Sequence, residues 1–336
     1  MEQAIVNEIV RASGVQAGEL ILVHFWGEQE TLAEAEGFMR AVAALGAAPL
    51  LLHQARTANR ALFASARDGA FGEKYFRAFA GCDAVLDVFA YPPVTLGEPL
   101  PPPAQARYRQ YMAGLFHQLT QCKRFTQIRL PTAANAEGTG LAPEEFTRGM
   151  TEACRVDCTA LHHACKDRIA VLSRSPRLVL RTGQDCTLHF DLTARTWLVD
   201  AGDGDWPCGE VYIAPVEEAT RGSVYFPALH VEGAGRFEDV TLRVEAGRVT
   251  DSSCAGLNAF LATLPPEGRV VAELGLGMNP GVQSLCGCTV LDEKAAGTFH
   301  IALGANDMFG GRNAAPLHLD LVGQVPWTLE EEHQHE

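Results

Sequence analysis

The hydrophobic period of the chain changes once, near residue 173, and that change dictates most of what it can fold into. Up to about Leu130, apolar strands alternate with helical stretches. They are ILVHF (21–25), a helical pattern from Glu30 to Leu45 ending at Gly46, PLLLH (49–53), a helix closing with FRAFAGC (76–82), and AVLDVFA (84–90). This β-α-β-α-β order predicts a parallel sheet with helices on its faces. From Arg177 the period drops to two. RLVLRTG, CTLHFDL, TWLVDA, EVYIAP, VTLRVEAGRVT and RVVAEL are short alternating runs between glycine or aspartate turns, with one helix from about Ala255 to Leu264. That is the pattern of an antiparallel sheet system. The expected fold class is α/β plus α+β. An N-terminal parallel-sheet domain with a helical extension covers 1–172 and serves as scaffold, cleft wall or dimerisation surface. A mainly antiparallel β domain covers 173–336.

Between the strands and the boundary, YPPVTLGEPLPPPAQA (91–106) is too rich in proline for a continuous helix or a central strand and reads as a loop. Helical stretches follow from about Arg107 to Lys123 and from Glu144 to Leu172. SRSP (173–176) stops the second, because the residue before a proline is biased away from helix. HFWGEQE, after the first strand, lacks the glycine spacing of a phosphate-binding loop, so the first domain is not a nucleotide site. His24 and Trp26 at that strand's end read as core or surface residues. GLGMNPG (275–281) imitates a dinucleotide fingerprint, but Pro280 and the third-glycine spacing spoil it.

A net charge of −14 argues against nucleic acid or an anionic membrane as partner, since both would be repelled. No charged-then-apolar leader opens the chain and no apolar run approaches ~18 residues, so a cytoplasmic protein is expected. Ten cysteines in a chain of this length without a signal sequence read as thiols rather than a disulfide framework. Cys154, Cys158, His162 and Cys165 fall at helical spacing on one face. One rigid helix cannot wrap a tetrahedral ion with ligands over three turns, so they read as core. Cys286, Cys288 and Cys208 read as packing near a site. The closing EEEHQHE reads as a solvated tail whose His333 and His335 do not belong to the site.

The chemistry concentrates in GTFHIALGANDMFGGRNAAPLHLDLV (297–322). In LHLDL, His318 and Asp320 alternate with leucines, so on a strand both point to one side. His300 sits in a second apolar run. Imidazole and carboxylate are ordinary ligands of divalent metals, though these three residues alone read equally as core histidines and a turn aspartate. Upstream, Glu273 in RVVAELGLG and Glu210 in PCGEVYIAP each stand at a junction of strand and glycine. A buried glutamate is costly unless a cation or hydrogen bonds compensate. Two glutamates, two histidines and an aspartate suit a pair of ions roughly 3.5–4 Å apart.

GEVYIAP, AELGLGMNP, LDEKAAGTFHIALG and GGRNAAPLHLD, in this order, resemble the thermophilic-type aminopeptidase T family. The similarity is strongest from about Gly183 to Val322. It implies a metallo-aminopeptidase or related amide hydrolase acting on small peptides, a homodimer, and two divalent ions (Zn, Co or Mn). The family's metal ligands fall on Glu210, Glu273, His300, His318 and Asp320, with one glutamate bridging. Lys294, in LDEK, resembles a family position, and Arg312 is the other cation near in sequence; both are candidates for the catalytic machinery beside Glu210 and Glu273. One departure stands out. The family's tyrosine, seven residues after the first histidine and thought to stabilise the tetrahedral intermediate, is here Asp307, and the nearest aromatic, Phe309, has no hydroxyl. A relative of this fold, 2,5-dihydroxypyridine 5,6-dioxygenase, uses one Fe(II). His300, His318 and Asp320 alone would supply such a triad, so a ring-cleaving iron dioxygenase is the alternative, with a non-catalytic metal-binding protein the third reading.

Overall fold

A computed structural model describes residues 1–332 of the chain. It divides into two compact units. One comprises Met1–Cys158 and Gly202–Cys208, the other Thr159–Ala201 and Gly209 onward. The division falls ahead of the 172/173 boundary expected from SRSP, because the helix that SRSP terminates, Cys158–Leu172, belongs almost wholly to the second unit. A return excursion, Gly202–Cys208, was not foreseen.

The first unit is built on a parallel sheet of β1 (Leu20–Trp26), β2 (Ala48–Gln54), β3 (Ala84–Phe89) and β4 (Arg124–Arg129), extended by the two-residue β8 (Asp205–Trp206), in the order β2-β1-β3-β4-β8. The central strands β1 and β3 are buried almost throughout, as continuous apolar runs are when both sheet faces are covered. Leu22, Trp26, Phe63, Val85, Tyr108 and Tyr111 anchor its core. β4 falls between the two expected helical stretches, where no strand is predicted. Its sequence, RFTQIR, is too polar to announce a strand, and pairing with β3 supplies what propensity does not. The proline-rich segment is a loop only as far as Pro101. The helix Pro102–Leu119 starts with prolines in its first turn, where the missing N–H costs nothing.

The cysteine-bearing stretch is two helices, Pro143–Ala153 and Cys158–Leu172, and this corrects the single helical face. Cys154 caps the first and Cys158 opens the second. Cys154, Cys158 and Cys165 are buried thiols while His162 is exposed, so the four do not form one cluster on one helix.

The second unit holds two antiparallel sheets. The larger, in the order β12-β11-β10-β6-β5-β16, consists of β5 (Arg177–Arg181), β6 (Thr187–Asp191), β10 (Arg221–Val231), β11 (Gly235–Glu245), β12 (Arg248–Ser252) and β16 (Thr328–Glu331). Part of the expected tail is therefore strand, since Glu330 and Glu331 pair with β5; His333 and His335 lie outside the described residues. The smaller sheet runs β15-β14-β13-β9-β7. It comprises β7 (Leu198–Asp200), β9 (Glu210–Ile213), β13 (Val271–Gly277), β14 (Phe299–Gly304) and β15 (His318–Gly323). The parallel first sheet and two antiparallel later sheets are the α/β plus α+β arrangement expected from the change of period. Among the described residues, no helix is long and apolar enough to cross a membrane.

Candidate metal centre

Residues directly opposite on neighbouring antiparallel strands point to the same side of a sheet. In the smaller sheet one such row is Leu198, Tyr212, Gly275, His300 and Val322. Two residues along, on the same side, come Glu273, Ala302 and Asp320 in one direction and Asp200, Glu210 and Gly277 in the other. His318, opposite Gly304, lies two residues before Asp320. Period two thus places all five sequence-derived ligands on one face. The positions between them on that face are small. A Cβ on Gly275 would stand 1.9 Å from His300 Nε2, and one on Gly277 would stand 2.0 Å from the Ala295 carbonyl oxygen. Gly275, within the run that imitates a dinucleotide motif, clears the floor on which the His300 imidazole lies.

The donors form two groups, Glu210–Glu273–His300 and Glu273–His318–Asp320, each with ligand atoms within 4.8 Å of one another, and Glu273 belongs to both. His300 Nε2 is 3.1 Å from Glu273 Oε1 and 3.3 Å from Glu210 Oε2. His318 Nε2 is 3.6 Å from Glu273 Oε2 and 3.5 Å from Asp320 Oδ1. The two oxygens of one carboxylate therefore face different imidazoles. His318 Nδ1 lies 2.8 Å from the Ala305 carbonyl oxygen, which can hold a proton on that nitrogen and leaves Nε2 as the one facing the carboxylates, the usual orientation of a metal-binding histidine. Glu210, Glu273 and His300 are buried, whereas the His318 side chain, 28% exposed, opens the site to solvent.

Lys294, itself 2% exposed, places Nζ 2.5 Å from Glu210 Oε1, 3.1 Å from Glu293 Oε1 and 3.5 Å from Asp200 Oδ2. Five carboxyl groups thus crowd around one ammonium and two imidazoles. Burial works to raise the Glu210 pKa, but Lys294 and His300 overcome it and hold that carboxyl down at about 2. Asp320 is likewise held at about 2 by His318, His300 and Lys294 against burial. Glu273 and Glu293 go the other way: burial, reinforced by neighbouring carboxylates, raises both. Burial disfavours an imidazolium at His318, yet Asp320 and Glu273 outweigh it and raise its pKa to about 9; His300 is raised well above its ordinary value for the same reason.

The donor set fits divalent cations: two imidazole nitrogens and three carboxylates, with Glu210, Glu273 and His300 buried, converge on one face of the sheet. Lys294 stands with this cluster. Arg312 does not; its side chain is 74% exposed and it meets Glu217, through its backbone N–H at 2.6 Å and its guanidinium at 3.8 Å. Cys286 donates to Asp292 Oδ1 at 3.2 Å, and no cysteine joins either donor group. Asp307 is exposed, and Phe309 in the same turn sets its ring edge-on to His318, 5.7 Å between centroids. Asp200 and Glu293 escaped the sequence reading. The aspartate ending TWLVDA and the glutamate beside Lys294 were the available signals, but only pairing of β7 with β9 brings Asp200 to Glu210, and only the reach of Lys294 ties Glu293 to it.

The family model of the thermophilic metalloproteases (M29) matches residues 8–317. No curated protein matches the sequence. Among solved structures, wild-type AmpT from Thermus thermophilus superposes with a TM-score of 0.69 at 19% identity, over 98% of this chain and 94% of that one. A 2,5-dihydroxypyridine dioxygenase from Pseudomonas putida KT2440 follows with a TM-score of 0.64 at 16% identity, over 98% and 93%. At such identities these two likenesses speak for the fold, which the three share. The family model reaches further, since it spans most of the sequence and runs through the strands that carry both glutamates and His300. The chain belongs to the thermophilic metalloprotease family, M29.

Proposed function

We propose that this metalloprotease is an aminopeptidase using two divalent cations, zinc, cobalt or manganese, to cleave the N-terminal residue from small peptides. The observation that carries the reading is the sharing of Glu273 between two donor groups, one carboxylate oxygen toward each imidazole. Glu210 and His300 complete one group, His318 and Asp320 the other. When bound, such a pair polarises a carbonyl and lowers the pKa of a water toward neutrality. The protein's own residues prepare for this. Lys294 keeps Glu210 ionised, Ala305 fixes the His318 tautomer, and Gly275 leaves room for His300. The carboxylates not balanced within the cluster favour a cationic substrate end, as a free α-amino group provides, which limits cleavage to the terminus.

The test combines metal counting with activity. The native protein is expected to hold two ions per chain and to hydrolyse aminoacyl-p-nitroanilides. Glu273→Ala, which removes a donor from both groups, should lose both ions and fall to the background rate. A single oxygen-sensitive iron per chain, with no amide hydrolysis, would move the reading to a ring-cleaving dioxygenase. That alternative draws on the absent family tyrosine, but it leaves Glu210 and Glu273 without a role.

A further inference from the structure

The family's phenol is missing at Asp307, yet a phenol stands at the cluster from another strand. Tyr212 lies on β9, two residues beyond Glu210 and on the same face, roughly 7 Å along the strand. Its cross-strand partner is Gly275, and the next residue in that row is His300. Because the residue between them is glycine, no side chain separates the tyrosine ring from the imidazole, whose Nε2 already overhangs that glycine. On the other side the Tyr212 ring packs edge-on against Phe309, 5.6 Å between centroids, and the same phenylalanine ring meets His318. Tyr212 thus stands in the cross-strand row of His300 and is linked to His318 through the Phe309 ring. It is half-buried, and its hydroxyl makes no hydrogen bond to any described residue. A tyrosine that served packing alone would need no hydroxyl here, and a phenylalanine would bury its ring edge at less cost.

We infer that the Tyr212 hydroxyl is the oxyanion donor of this enzyme, taking over from a different strand the work of the absent tyrosine. The inference rests on the aminopeptidase reading. As the oxygen of water bonds to the scissile carbonyl carbon, the π pair of that carbonyl moves onto its oxygen. The Tyr212 O–H donates a hydrogen bond to this oxyanion and keeps its proton throughout. When the oxyanion collapses, the C–N bond breaks, and the leaving amine carries away the proton released by water.

Tyr212→Phe in the full, metal-loaded chain tests the assignment, because it removes the hydroxyl and keeps the ring against Phe309. Three readouts are needed: metal content, kcat and KM on an aminoacyl-p-nitroanilide, and affinity for a phosphinic pseudo-dipeptide, whose tetrahedral phosphorus carries an anionic oxygen where the oxyanion would form. Removing one such donor typically lowers kcat by about 10²–10³-fold. The expected result is a loss of that size in kcat and a phosphinate affinity weaker by about 10²-fold. KM and metal content should be unchanged, since the bond is made only in the transition state. A folded, metal-loaded variant with unaltered kcat and phosphinate affinity overturns the inference and leaves the aminopeptidase reading standing. Loss of metal in Tyr212→Phe also overturns it, by giving the hydroxyl a structural role. A native protein that holds metal but neither turns over nor binds the phosphinate overturns inference and reading together.

Discussion

Each unit of the molecule buries a histidine beside a carboxylate, and the two settings have opposite consequences. In the first unit His24 on β1 faces Asp87 on β3, in register, with Nδ1 3.0 Å from Asp87 Oδ1 and both side chains wholly enclosed. Asp87 Oδ1 also accepts the Trp26 indole N–H at 2.8 Å, and Trp26 and Phe116 flank the imidazole. One acid, one ring and an aromatic seal make a polar contact inside a core, with a single carboxyl group and no opening. In the second unit His300 meets two carboxylates, and a further three stand within the same cluster. His318 opens it to solvent. A histidine–carboxylate contact therefore says little by itself. Excess acid together with access separates a place for cations from a packed polar pair.

The largest effect is expected from taking away the buried ammonium that Lys294 supplies to the acidic cluster. Lys294→Met leaves Glu210, Asp200 and Glu293 facing one another without an ammonium. Breaking a buried ion pair from one side typically costs about 3–5 kcal/mol. The metal-free variant should therefore unfold in urea well before the metal-free native protein, and added divalent cation should recover most of the difference. Equal destabilisation with and without metal would mean that the lysine matters as packing, and the contrast between the two units would lose its electrostatic basis.

A third carboxylate sharpens the comparison, because it is buried like Glu210 yet fully partnered by fixed groups. Glu217 accepts from Arg195 Nη2 at 2.6 Å and from the Arg312 backbone N–H at 2.6 Å. Burial works to raise its pKa, but backbone N–H groups and Arg195 prevail and lower it. A depressed folded-state value means that its contribution is fully present above the unfolded pKa, about 4.3, and is lost as pH falls through the folded value. Glu217→Gln should cost about 1–3 kcal/mol at neutral pH. The gap to the native protein, followed by urea midpoints of the metal-free forms, should close as pH drops below about 4. A gap that stays constant with pH would show that shape rather than charge holds the Gly310–Arg312 turn.

How much of this was legible in the sequence follows from the range of the interactions. The change of period announced a parallel unit and antiparallel sheets, and LHLDL placed His318 and Asp320 on one face, because both are properties of a few consecutive residues. Glu210, Glu273 and His300 were legible as polar residues set in apolar, glycine-punctuated runs. The structure gathers these five on one face of one sheet. What the sequence concealed depends on register between distant strands. Asp200 reaches Lys294 only because β7 pairs with β9. Tyr212 shares a row with His300 only because β13 pairs with both β9 and β14, with a glycine at the position between them. The Cys154–Cys165 stretch misled for the opposite reason: helical spacing held across a break at Arg155–Asp157 that local apolar pattern does not mark.

The smallest effect belongs to the enclosed histidine, and it probes the comparison most directly. Neither ring nitrogen of His24 makes a hydrogen bond, despite the short approach to Asp87, so the side chain is desolvated with little return. His24→Leu exchanges that desolvation for an apolar side chain of similar reach between Trp26 and Phe116. Asp87 keeps the Trp26 N–H as a hydrogen-bond partner. The two changes nearly cancel, and stability should move by no more than about 1 kcal/mol, in either direction. Metal content and hydrolysis should be untouched. The same substitution at His300 removes a donor nitrogen from the first ligand group and should empty it. If His24→Leu instead cost several kcal/mol, the His24–Asp87 contact would be a strong pair in its own right. A short histidine–carboxylate approach would then stabilise a sealed core without any surplus of acid, and surplus acid alone could no longer distinguish the two settings.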